Sequence, residues 1–166
     1  MTPPHLRPAT ASPQDLRFLR EMLYEAATWR QNRPREPIDL VLADPQLAVY
    51  FEGWPRESDT AIVAEDAETR PVGAAWYRVF DEAAHGYGYV APSIPELGIA
   101  VRPEARRAGV GTALLAALLE QARADGFRAL SLSVAEHNPA LRLYRRAGFL
   151  EVGRSGGSLT MQVELA

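Results

Sequence analysis

The chain has no cysteine, which excludes a disulfide framework, a thiol nucleophile and any acyl group carried on a protein sulfur. It has no apolar run near the ~18 residues of a membrane-spanning helix, and its Pro-rich start, Met1 to Pro13, lacks the apolar centre of a signal peptide. The cytoplasm is therefore the expected compartment, with no membrane partner. Basic charge is not in excess either: 18 Lys plus Arg face 21 Asp plus Glu, for a net charge of −3 and a pI near 5.7. General nucleic-acid binding rests on a positive field, so that partner is not expected. Repeats, charge blocks and low-complexity segments are missing too, which leaves no linker between residues 12 and 165.

What is present is a chain of 166 residues, 47% hydrophobic, long enough for one well-buried core and too short for two ordinary domains. We expect a single domain over residues 1–166, with residues 1–11 loosely held. Ser12-Pro13 before Gln14-Asp15 reads as a helix start, and Leu16, Leu19, Leu23 and Ala26 or Ala27 mark its apolar face to about Trp29 or Arg30. Gln31 to Pro37 is a breaker-rich loop, followed by weaker helical stretches at Ile38–Ala43 and from Pro45 to about Gly53. Thr60–Glu65 and Val72–Phe80 read as an antiparallel hairpin around a turn at Asp66–Arg70. Asp81 to Pro95 is a long loop containing Gly86-Tyr87-Gly88-Tyr89, and loops of this length in a compact domain are often functional.

A strand at Glu96–Val101 then runs into Arg106-Arg107-Ala108-Gly109-Val110-Gly111-Thr112, after which Val110, Leu114, Leu115, Leu118, Leu119 and Ala122 recur at helical spacing. The free N–H groups of a helix's first turn carry the positive end of its dipole, so this junction is suited to a pyrophosphate. Gly109 and Gly111 permit close approach. A dinucleotide fingerprint would need glycine where Leu114 stands, and no Lys-Ser/Thr pair follows the glycines as a P-loop requires. Both familiar nucleotide readings fail, leaving a different phosphate ligand or a ligand-free turn. Downstream, Ala129–Val134 is a buried strand, so strand, helix and strand form a right-handed parallel crossover. Asn138-Pro139 opens a short helix to Arg146 closed by Gly148, and Leu150–Arg154 with Ser158–Leu165 makes a final hairpin about Ser155-Gly156-Gly157.

Arg106-x-x-Gly109-x-Gly111 after Val101-Arg102-Pro103 resembles the acetyl-CoA loop of the GCN5-related N-acetyltransferase (GNAT) superfamily. Asn138-Pro139-Ala140-Leu141-Arg142-Leu143-Tyr144-Arg145-Arg146-Ala147-Gly148-Phe149 resembles that superfamily's later signature, in the right order and separated by a helix and a strand. The resemblance, strongest over Glu96 to Phe149, implies a mixed α/β fold: a central, mostly antiparallel twisted sheet with one parallel, splayed strand pair and about four flanking helices. It implies acetyl-CoA as acyl donor, with no metal. The cofactor would be held by Ile99, Ala100 and Val101 through backbone, by Arg106, Arg107, Ala108, Gly109, Val110, Gly111 and Thr112, and by Asn138 and Tyr144. Arg107 stands where the family often has glycine, and Ala108 where it often has a basic residue, which leaves the side-chain phosphate contacts open.

The resemblance further implies direct acetyl transfer to a primary amine, with Glu96 as general base and Tyr144 protonating the departing thiolate. An alkyl ammonium of pKa ~10.4 is almost wholly charged at pH 7, a cost of about 4.6 kcal/mol that a carboxylate base addresses. Gly98 in mid-strand suggests a bulge or the close approach of another group, and Asn138 can alternatively serve as a helix N-cap. Trp29, Trp54, His85, Tyr87 and Tyr89 are candidate acceptor contacts from the less regular half of the chain. A non-catalytic acyl-CoA-binding module of the same fold is the alternative, and a homodimer through the terminal hairpin is possible in either case.

Overall fold

The computed structural model describes residues 2–30 and 33–165. A seven-stranded sheet runs in the order β1-β2-β3-β4-β5-β7-β6, with β1 at His5–Pro8, β2 at Thr60–Glu65, β3 at Pro71–Arg78, β4 at Glu96–Val101, β5 at Ala129–Ala135, β6 at Leu150–Ser155 and β7 at Ser158–Glu164. Every neighbouring pair is antiparallel except β4–β5. Met1 and the expected loop's Gln31 and Asn32 lie outside the described residues.

The expectation of a loosely held start is corrected. His5–Pro8 pairs with Ile62–Glu65, and Arg7 bridges Asp15 at 2.8 Å and Glu65 at 2.9 Å, joining this edge strand to α1 and to β2. This pairing also explains why Asp15 is buried in a helix face otherwise made of Phe18, Leu19, Met22 and Leu23. The Arg7 guanidinium and the Thr10 donors hold the Asp15 carboxyl well below the usual carboxylate range. Helix α1 spans Pro13–Ala27, with Ser12 accepting from the Asp15 N–H as its cap. It ends at Ala27, two or three residues before the expected limit.

Helices α2 (Ile38–Leu42) and α3 (Pro45–Ala48) are single turns, and with α1 and β3 they enclose one core around Phe18, Leu19, Phe51 and Trp76. Helices α4 (Val110–Ala124) and α5 (Leu141–Arg146) cover the opposite face. The expected α4 stripe, Val110, Leu114, Leu115, Leu118, Leu119 and Ala122, is its buried face. Strand β3 is therefore covered on both sides, and its buried residues run continuously rather than alternating. Strand β7, with one buried face, alternates Leu159, Met161 and Val163 inward. Among the described residues no helix is long and apolar enough to cross a membrane.

The parallel pair positions everything that follows. Strand β4 pairs with β3 along its whole length but with β5 only where Glu96 meets Ser131, with the Ser131 N–H donating to the Pro95 carbonyl at 3.0 Å. Beyond that point the two strands part.

Candidate active site

Where β4 ends, the Arg102 N–H still donates to the Val72 carbonyl of β3 at 2.8 Å. Hydrogen-bonding direction alternates along a strand, so Gly98 and Ala100 also face β3, while Ile99 and Val101 face the gap between β4 and β5. The expected backbone set is thereby corrected: Ala100 opposes Ala74 within the sheet, and its N–H is not free for a ligand. Ile99 and Val101 keep theirs. No bulge accompanies Gly98, because its register with Trp76 is regular. Its glycine answers a close approach instead, since an added Cβ would lie 2.6 Å from the Trp76 ring.

Beyond β4 the chain makes one turn of 3-10 helix at Pro103–Ala105, then passes through left-handed backbone at Arg107 (φ 64°) and Gly109 (φ 82°). The first paired helical N–H is that of Ala113, on the Gly109 carbonyl at 3.0 Å, so Val110, Gly111 and Thr112 present theirs outward. Such a concavity of N–H groups at a helix start binds anions. A Cβ on Gly109 would meet nothing within 4 Å, so this glycine serves its backbone conformation and leaves the mouth open. Gly111 faces α5, with Leu143 at 3.5 Å from an added Cβ. Arg106 folds back, its Nε on the Val101 carbonyl at 3.1 Å, while Arg107 and Ala108 line the loop beside it, exposed and half-buried respectively.

At the closed end of the gap sits Glu96, 2% exposed and so not a solvated strand-end charge. Its Oε2 accepts from the hydroxyl of Tyr50, and that hydroxyl in turn accepts the Tyr87 N–H at 3.0 Å. Its Oε1 has no hydrogen-bond partner among the described residues. Burial pushes the carboxyl up to about 7, against the opposing pull of the Tyr50 hydroxyl. The loop Asp81–Pro95 lies over it. A Cβ on Gly86 would stand 2.6 Å from Oε1, and one on Gly88 2.6 Å from the Ser133 nitrogen of β5; the Ser131 hydroxyl donates to the Gly88 carbonyl at 2.7 Å. Both glycines let the loop lie flat on the site.

Sequence reasoning missed Tyr50, which lies 46 residues from Glu96 in a weakly patterned stretch. It also missed Arg78, 1% exposed on β3 opposite Glu96. Arg78 holds Asp59 through Nε at 2.9 Å and Nη2 at 2.6 Å, and the Val49 and Glu52 carbonyls through Nη1 at 2.9 and 2.8 Å. These contacts bracket Tyr50. An arginine inside an otherwise apolar strand was the available signal, because a buried charge must be paired.

Tyr144 is buried on α5, edge-on to Phe149 at 5.8 Å, and burial pushes its phenol up to about 12. It therefore stays protonated at neutral pH. Asn138 is not the cap of α5, which begins at Leu141; its Oδ1 accepts the Ala140 N–H at 2.9 Å and closes the preceding turn. Of the aromatic candidates, Tyr87 is exposed, and His85 stacks on Tyr89 at 4.3 Å with its Nδ1 2.8 Å from the Gly86 carbonyl. These three share the loop over Glu96. Trp54 packs on Phe51 at 4.9 Å beneath the Arg78 guanidinium, and Trp29 lies beside Arg30 at the end of α1. A cleft of about 410 Å³ between α1 and the Arg102–Glu104 turn is lined by none of these five.

Comparison with known proteins agrees with this fold. The family model described as acetyltransferase (GNAT) family matches residues 19–149. The L-methionine sulfoximine/L-methionine sulfone acetyltransferase of Pseudomonas paraeruginosa is 32% identical over 124 residues, which are 74% of this chain and 64% of that protein. The match thus spans a little under two thirds of that relative's length. In fold, the chain is similar to the N-acetyltransferase from Staphylococcus aureus Mu50, with a TM-score of 0.71 at 20% identity over 99% of this chain and all of the other. It is also similar in fold to the phosphinothricin acetyltransferase from Sinorhizobium meliloti, solved with acetyl-CoA, at a TM-score of 0.65 and 24% identity over 98% and 89% of the two chains.

Proposed function

Because the chain belongs to the acetyltransferase (GNAT) family, we propose that it transfers an acetyl group directly from acetyl-CoA to a primary amine of a small molecule or peptide. The observation that carries this reading is the layout of β4, six residues or about 17 Å long, with a buried carboxyl at one end and an anion-ready helix start at the other. The N–H groups of Val110, Gly111 and Thr112 would hold the pyrophosphate, and those of Ile99 and Val101 the arm and the thioester carbonyl. The donor's thioester supplies the activated acyl carbon.

In the transfer a C–N bond forms and the C–S bond breaks. Glu96 takes the proton lost by the amine, and Tyr144 supplies one to the leaving sulfur. A carboxyl near 7 is a better match to an ammonium than an ordinary one, since the proton transfer runs less steeply uphill. The Tyr144 hydroxyl makes no hydrogen bond to the described residues, so its proton is not committed elsewhere.

The reading is tested by thiol release from acetyl-CoA across a panel of an amino acid, a polyamine, an aminoglycoside and a peptide, with L-methionine sulfone included because the Pseudomonas relative is named for it. The chain has no lysine, so Nε-acetylation of the enzyme cannot contribute to the signal. Binding of acetyl-CoA with no release over any amine would instead make this a binding module. Tyr144→Phe should lower turnover about a hundredfold while leaving the acetyl-CoA Kd unchanged by calorimetry; unchanged turnover removes Tyr144 from the mechanism. Gly109→Val places a β-branched residue in left-handed backbone at the open mouth. Calorimetry should show at least a tenfold loss of acetyl-CoA affinity, and retained affinity would exclude this loop as the phosphate site.

A further inference from the structure

The hydrogen bonds around Glu96 leave its two oxygens unequal. Tyr50 is itself 7% exposed, its ring edge-on to Phe80 at 5.6 Å, and Arg78 fixes the backbone on either side of it through the Val49 and Glu52 carbonyls. A phenol has one proton to donate, and burial beside a carboxylate raises the Tyr50 pKa well above its ordinary value, so that proton stays. It goes to Oε2. The remaining acceptor capacity of the hydroxyl is used by the Tyr87 N–H. Oε1, buried and without a hydrogen-bond partner among the described residues, faces the bare Cα of Gly86.

We infer that Tyr50 is the positioning residue of this site: its hydroxyl pins Oε2, turns Oε1 toward the acceptor as the proton-accepting oxygen, and ties the Gly86–Tyr89 loop to the carboxyl. The inference rests on the reading of Glu96 as the base. Other groups facing the carboxyl are His85 from the loop, Arg78 from β3, already committed to Asp59, and Ser131 from β5, already committed to Gly88. Among the described residues Tyr50 alone donates to it from a side chain, beside a weaker pull from the Gly88 backbone N–H. A donor to a carboxylate stabilises the charged form, so removing it favours the protonated form.

Tyr50→Phe keeps the ring and its contact with Phe80 while deleting the hydroxyl. Two readouts follow the carboxyl: the acid limb of kcat/KM for the best amine of the panel, and the Glu96 side-chain carboxyl resonance in a carbon-13 titration of the ligand-free protein. Both midpoints should move up by about one pH unit, a tenfold fall in ionised base below the limb. A role in packing alone would leave both where they are. Uniform 3-fluorotyrosine labelling of the wild-type chain makes the phenol a stronger donor and should move the carboxyl midpoint down, a second measurement that needs no variant. Unmoved midpoints together with an inactive Glu96→Gln enzyme would overturn the inference and leave Glu96 as base. Glu96→Gln at the wild-type rate would overturn the base reading, and this inference with it.

Discussion

Glu96→Gln should lose about a hundredfold or more in kcat/KM and at the same time melt at a higher temperature than the wild type above pH 7. The two effects have one cause. A carboxyl 2% exposed and pushed up to about 7 is costly to ionise where it sits, and the same cost makes it basic enough to accept a proton at neutral pH. Its folded value lies above its unfolded one, so folding takes up a proton between about pH 4.5 and 7 and stability falls as pH rises through that window. Glutamine has no charge to desolvate. The variant's stability gain should approach 3 kcal/mol at pH 8, on the order of the pKa displacement, and vanish near pH 4.5. Thermal melts at pH 4.5 and pH 8 check this, beside a pH–rate profile in which the wild-type kcat/KM rises through about pH 7. Equal melting at both pH values would show that Glu96 ionises without penalty.

Arg78→Met should be the larger injury to the fold, at about 3–5 kcal/mol, because methionine fills the stem's space but leaves the Asp59 carboxylate buried without its partner. The side chains of this pair are 1% and 2% exposed, so water cannot compensate. Urea unfolding gives the number directly, and a loss below about 1 kcal/mol would exclude the clamp. Adding Asp59→Asn should recover part of the loss, since no uncompensated charge then remains. The injury is also functional. Arg78→Met releases the Val49 and Glu52 carbonyls that bracket Tyr50, so surviving enzyme should share the raised acid limb of Tyr50→Phe.

The parts of the molecule legible in the sequence are those whose signal is local. The α4 stripe, the β2–β3 hairpin, the alternation in β7 and the glycine loop before α4 each follow from spacing within one segment, and each stands where expected. The edge strand at the start of the chain carries no local signal, since Pro3, Pro4 and Pro8 interrupt any alternation; an edge strand tolerates proline, and Arg7 secures this one through Asp15 and Glu65. Gly98 was ambiguous for a related reason. Nothing in its neighbourhood along the chain announces the Trp76 ring that excludes a side chain there.

The sequence by itself determined the order of elements from α1 onward, the single parallel crossover and the glycine-bearing turn at Arg106–Thr112, because period and turn chemistry are written over a few neighbouring positions; Glu96 and Tyr144 were singled out by the family resemblance. Only the tertiary structure decided that Glu96 is buried, that Tyr50 and not an adjacent residue holds it, that Ile99 and Val101 rather than Ala100 face the gap, and that Arg78 anchors the segment carrying Tyr50. These depend on register and on contacts between residues tens of positions apart. The physical state of a carboxyl is set by what surrounds it in space, and a chain's order does not specify its surroundings until it folds.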